Sequence, residues 1–155
     1  MTDYGFARAS DETLGIRNDL AQQVIRALGD AGLPAFREGE AGSADRAGAV
    51  IHVEPDAETM SAAVSVTWRC DSGKLQSAVE DLASGRADTP ATRYPGVIGA
   101  HMQLPLVRIL LAAGIIATPT HDCTDPNHVL VFGRVSDLPP ALRPGAGPLR
   151  SRASG

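Results

Sequence analysis

The feature that most constrains the fold is the run Leu104–Thr118, LPLVRILLAAGIIAT, the longest apolar stretch in the chain and broken only by Arg108. Its spacing predicts the last turns of a helix, a stop at Gly114 and then a strand over Ile115–Thr118. Upstream, Val97, Ile98, Met102, Leu104, Leu106, Val107, Ile109, Leu110 and Leu111 leave the helix no polar side. A helix apolar all round is expected to be buried all round. A domain of 155 residues has few layers with which to do that. The stretch therefore predicts self-association through 97–111, with Val97, Met102, Leu106, Val107 and Leu110 as the interface. Pro105 lies inside it, so either a helix begins there or two helical pieces meet at a kink.

The rest of the chain reads as units that pack against this one. Residues 1–9 are a loose lead-in, and Ser10 followed by Asp11 and Glu12 forms a capped helix start. Leu20, Val24, Ile25, Leu28 and Ala31 fall on one helical face, and Gly32 with Pro34 ends it. A short strand over Leu33–Arg37 is held to a sheet edge by Pro34, and 38–48 is a polar loop. Ala49–Glu54 and Ala62–Arg69 are strands of an antiparallel hairpin. Ile51 and Val53 share one face with Val64, Val66 and Trp68, while His52, Glu54, Ser65, Thr67 and Arg69 face the other way. Leu75, Val79 and Leu82 form the apolar stripe of a second helix, 86–96 is loop, and Val129–Phe132 is a last strand.

These elements define an α+β domain over 10–133, with order α-β-β-β-α-α-β-β. A single, mostly antiparallel five-stranded sheet carries its helices on one face. Residues 134–155, rich in Pro, Gly and Arg, form a flexible tail. Laying Gly32 over Gly114 also aligns Arg26 with Arg108, Leu28 with Leu110, Ala31 with Ala113 and Ala35 with Ala117, a short internal echo.

Charge narrows the partners. From Arg134 onward four arginines face one acid, Asp137, while the first 133 residues hold 10 basic and 17 acidic groups. An acidic body is a poor match for phosphate backbones, so nucleic acid is not the expected partner. The start lacks a basic segment followed by an apolar one, and the apolar runs are short, so a cytoplasmic protein with no membrane segment is expected.

The sequence carries no diagnostic catalytic motif. Gly73-Lys74 lacks the rest of a phosphate loop, and no nucleophile elbow is present. The densest ligand group is HDCTDPNH, where His121, Cys123 and His128 could meet a zinc ion with Cys70 as a fourth ligand. The spacing is not a standard zinc pattern, and Asp-Pro-Asn is ordinary turn chemistry, so no bound cofactor is the base expectation. Cys123 with a neighbouring His as a nucleophile pair, and His52 with Glu54 as a base, are weaker alternatives. The leading expectation is a non-catalytic cytoplasmic interaction module that binds a protein partner or itself. The alternative is a small metal-dependent protein or enzyme using the His121/Cys123/His128 loop.

Overall fold

The computed structural model describes residues 7–59, 61–120 and 126–144. Eight elements build the domain: α1 (Asp11–Asp30), β1 (Ala35–Arg37), β2 (Gly48–Val53), β3 (Val64–Arg69), α2 (Ser72–Ala83), α3 (Pro90–Ala112), β4 (Ile115–Pro119) and β5 (Val129–Arg134). Two single 3-10 turns follow, at Val135–Asp137 and Pro140–Leu142. The fold is α+β, in the order read from the sequence.

Helix α1 starts where its cap chemistry puts it. The Ser10 hydroxyl accepts from the Thr13 N–H at 3.1 Å, and Asp11 and Glu12 occupy the first turn. At the other end the Leu33 N–H donates to the Leu28 carbonyl at 3.0 Å and the Gly32 N–H to that of Gly29 at 2.9 Å. This double bond pattern needs a left-handed residue, and Gly32 supplies it at φ +88°. Gly114 closes α3 at φ +78°. The echo between the two segments stops at this local chemistry. The strand after Gly32 pairs parallel to its neighbour and the strand after Gly114 pairs antiparallel.

The sheet order is β1-β2-β3-β5-β4. The β2–β3 ladder pairs Ile51 with Val66 and Val53 with Val64, so the apolar sides of both strands coincide. The same face continues through Val129 and Val131 of β5. The sheet is mixed rather than mostly antiparallel, because β1 runs parallel to β2, Phe36 beside Val50. Parallel neighbours require a crossover, and the loop 38–47 makes it over the sheet face opposite the helices. Phe36 explains why. It points to that opposite face, yet it is 1% exposed, with the Arg46 guanidinium 4.7 Å and that of Arg69 5.5 Å from its ring centre. Arg69 also donates to the Ser43 carbonyl at 2.8 Å and so straps the loop across the ring. The face expected to be polar therefore holds a small covered apolar spot.

Helices α1 and α3 lie on the other face. Val24 and Leu28 of α1 and Leu106 and Leu110 of α3 interlock with Ile51, Val64, Val66, Val129 and Val131, all within 1% of full burial. Helix α2 packs chiefly on α3, as a second layer.

Helix α3 differs from its sequence reading in two ways. Residues 90–96 are helical rather than loop. Thr89 and Thr92 form a reciprocal capping box, and Pro90 occupies the first turn, where its missing N–H costs nothing. The helix then runs through Pro95 and Pro105 to Ala112 without ending at either. Pro105 is exposed, as is His101, whose carbonyl the proline leaves without its usual donor. Water can satisfy that carbonyl on the outward side, so the proline is tolerated there.

Candidate functional site

The residues left uncovered point to one surface. Among the described residues nine large hydrophobics are exposed, and six of them lie on α2 and α3: Val79, Leu82, Tyr94, Val97, Leu104 and Leu111. Val97, Leu104 and Leu111 are each seven residues apart and about half exposed, at 47%, 49% and 49%. Heptad spacing keeps them on one face with a drift of about 20° per repeat. Tyr94 extends the stripe by one turn, its ring 5.3 Å from the Lys74 ammonium of α2. From Tyr94 to Leu111 the stripe spans about 25 Å of helix. Between the apolar residues stand His101 and Arg108, both exposed, and α3 contains no acid. By length and composition α3 is also apolar enough to cross a bilayer, with a mean hydropathy of 1.3 over its best window.

Two sequence expectations are corrected here. Of the expected interface residues, Leu106, Val107 and Leu110 are buried in the protein's own core, and Met102 is partly buried against it. Only Val97 faces outward. The helix does have two sides: one is spent on the sheet, and the outward one is Val97, Leu104 and Leu111. In α2 the stripe Leu75, Val79 and Leu82 does not enter the core. Ala78 is the buried contact, while Val79 is 63% and Leu82 is 55% exposed.

Two of the four candidate metal ligands, His128 and Cys70, lie among the described residues. His121 and Cys123 fall outside the described residues. His128 precedes β5, and its carbonyl accepts from the Gln103 side chain at 2.8 Å. Cys70, just past β3, is 5% exposed, and burial pushes its thiol pKa up. A protonated, buried thiol is a poor ligand and a poor nucleophile. Among the described residues no three metal-binding side chains converge.

His52 and Glu54, which the strand alternation puts on one face of the sheet, lie beside Glu38. The His52 Nδ1 lies 2.5 Å from a Glu38 oxygen and its Nε2 lies 3.7 Å from one of Glu54. The register accounts for this: Glu54 is two residues along β2, and Glu38 follows β1, the parallel neighbour. A hollow of about 440 Å³ opens beside it, lined by Val50, Ser65, Thr67, Arg69 and His128. The imidazole and Glu38 are each about half exposed, so water screens both. Arg69, the one arginine lining the hollow, is already bound to the loop carbonyls.

No protein-family model, no curated protein and no solved structure matches this chain.

Proposed function

We propose that this chain is a non-catalytic cytoplasmic interaction module that works by self-association, and that the outward face of α3, flanked by α2, is the surface it uses. The observation that carries the reading is the clustering of exposed large hydrophobics, six of nine among the described residues, on these two packed helices. Apolar area gathered in one place is the mark of a surface meant to be covered. The occupant is a second copy, because the stripe is self-similar: the spacing from Val97 to Leu104 repeats from Leu104 to Leu111. A strip about 25 Å long and one helix wide covers on the order of 250 Å² per copy. That is well short of the ~800 Å² per partner of a stable complex, so the association is weak unless Val79 and Leu82 join it.

Light scattering during size-exclusion chromatography tests this. The wild-type protein is expected to move from monomer to dimer between low and high micromolar concentration. Leu104→Glu, a change at an exposed site, is expected to hold it monomeric with an unchanged circular dichroism spectrum. A wild-type monomer at high micromolar concentration overturns the reading. So does a monomer that floats with liposomes and loses that binding in Leu104→Glu, which would make a membrane surface the occupant.

A further inference from the structure

We infer that the hollow beside His52 is a binding site for a primary alkylammonium group, with Glu38 as its counter-ion. The hollow lies on the sheet face opposite the helices and needs no second copy. It holds about 440 Å³, within the size range of small-molecule sites. The strand pleat builds it. Ser65 and Thr67 alternate with the buried Val64 and Val66, so their side chains stand on the floor of the open face. The ladder sets His52 opposite Ser65 and Val50 opposite Thr67. Glu38 extends the His52 row by one strand, because its N–H donates to the Ile51 carbonyl at 2.9 Å and continues the β1 ladder. Leu75 of α2 and His128, which leads into β5, complete the walls.

The lining groups select the ligand. Among the described residues the Ser65 and Thr67 hydroxyls have no hydrogen-bond partner, so both are open to one. Glu38 accepts from the His52 Nδ1–H through one oxygen and keeps its second oxygen free among the described residues. A second carboxylate, that of Glu54, lies 3.7 Å from His52 Nε2. An anion would sit beside these groups with little to hold it. Arg69, the arginine of the lining, is engaged by the Ser43 and Ala44 carbonyls and by the Phe36 ring, 5.5 Å away. The wider field has the same sign, with 17 acidic against 10 basic groups in the first 133 residues. The rest of the lining suits an alkyl chain. Val50 is 6% exposed, two residues and about 7 Å along β2 from His52, and Leu75 is half-buried. A short chain laid over Val50 carries its ammonium to Glu38. The ammonium has three protons to give and no acceptor, matching a free carboxylate oxygen and a floor hydroxyl. Glu38 is about half exposed, so water screens the pair and the group alone binds weakly, in the millimolar range.

Amide NMR titration of the full chain with three four-carbon probes tests this. The probes are n-butylammonium, 1-butanol and butyrate at one ionic strength and about pH 7.5, where the amine is protonated and the acid ionised. Butylammonium is expected to shift the amides of 50–52 and 65–67 and to saturate below about 50 mM. Butanol is expected to bind several-fold more weakly, and butyrate to move none of these amides. Glu38→Gln keeps an oxygen that accepts from His52 but removes the charge. It is expected to bring butylammonium down to the butanol level, with the rest of the spectrum unchanged. The tripeptide acetyl-Ala-Lys-Ala-amide separates two sources of the group. Tighter binding than butylammonium at the same amides assigns the site to a lysine side chain, and weaker binding assigns it to a free amine. Butyrate binding as well as butylammonium overturns the inference. So does a butylammonium titration that gives no saturating shift, or one whose shifts fall on α3 and leave 50–52 and 65–67 unmoved. Unchanged butylammonium affinity in Glu38→Gln overturns the role of the carboxylate and with it the choice of ligand.

Discussion

Gly48 shows how one residue can fix a strand's path. Its φ is +142°, and a Cβ built there would lie 2.6 Å from the Pro34 carbonyl oxygen and 2.8 Å from the Pro34 Cβ. Both neighbours are held: the Pro34 carbonyl accepts from the Ala49 N–H at 2.8 Å. Gly48→Ala therefore adds an unfavourable backbone conformation to a clash that only the backbone can relieve. A loss of about 2 kcal/mol or more is expected, read by urea unfolding. Gly15→Ala is the control: nothing lies within 4 Å of the added Cβ in the second turn of α1, so it is expected to stabilise by a few tenths of a kcal/mol to about 1. Arg17 is the second residue on which a loop depends. Its guanidinium donates to the carbonyls of Glu54 and Asp56, both at 2.6 Å, and ties the turn after β2 to α1. Both bonds leave the single nitrogen Nη1, so Arg17→Lys, which offers one ammonium on a shorter and more flexible stem, is expected to cost about 1 kcal/mol, less than Arg17→Ala at about 1–3 kcal/mol. If Arg17→Lys proves as destabilised as Arg17→Ala, the rigid guanidinium rather than one cationic donor holds the turn.

At the scale of elements, the capping box at the start of α3 carries a prediction of its own. The Thr89 hydroxyl accepts from the Thr92 N–H at 3.2 Å, the Thr89 N–H donates to the Thr92 hydroxyl at 3.0 Å in return, and the Thr89 hydroxyl also donates to Asp81 of α2 at 2.7 Å. Thr89→Ala is expected to cost about 1 kcal/mol and to raise amide exchange over 90–96 selectively. Uniform exchange along α3 would show that the cap does not set where the helix begins. The same helix shows what sequence could and could not tell. The strands were legible because Val64, Val66 and Trp68 alternate with Ser65, Thr67 and Arg69, and the polar residues mark the side that faces out. Helix α1 was legible for the same reason, at helical spacing. Helix α3 carries almost no polar marks, so nothing in its sequence separates Leu106 and Leu110, which enter the core, from Leu104 and Leu111, which do not. Its heptad spacing was visible at 97, 104 and 111, but a spacing does not reveal which stripe the sheet will claim. Two prolines also hid its length, because the capping box at Thr89 and the exposed setting of Pro105 offset penalties that are usually decisive. The parallel pairing of β1 was hidden in the loop 38–47, whose return path depends on Arg69, a residue on a strand some 25 positions away.

For the molecule as a whole, the layers decide how stability should depend on concentration. One face of the sheet is sealed by α1 and α3 with residues almost wholly buried, so the core is closed within a single chain. Among the described residues, most of the exposed large hydrophobics lie outside that core, on α3 and on α2 above it. Folding and association are then separable, unlike an obligate dimer in which the core is shared. Mass action turns that separation into a measurable quantity: binding of a second folded copy stabilises by RT ln(1 + [L]/Kd), about 1.4 kcal/mol when the partner is present at ten times Kd. For a domain of this size, that raises Tm by about 3–6 °C. The expected result is a wild-type Tm that climbs with protein concentration across the micromolar range. Leu104→Glu is expected to show a flat Tm equal to the wild-type value at the lowest concentration, because only the association has been removed. Leu106→Glu, two residues along the same helix but inside the core, is expected to fail at every concentration. The two neighbours thus read the two faces of one helix. If Leu104→Glu lowered Tm equally at all concentrations, Leu104 would belong to the fold rather than to an interface, and the outward face of α3 would have to be redrawn.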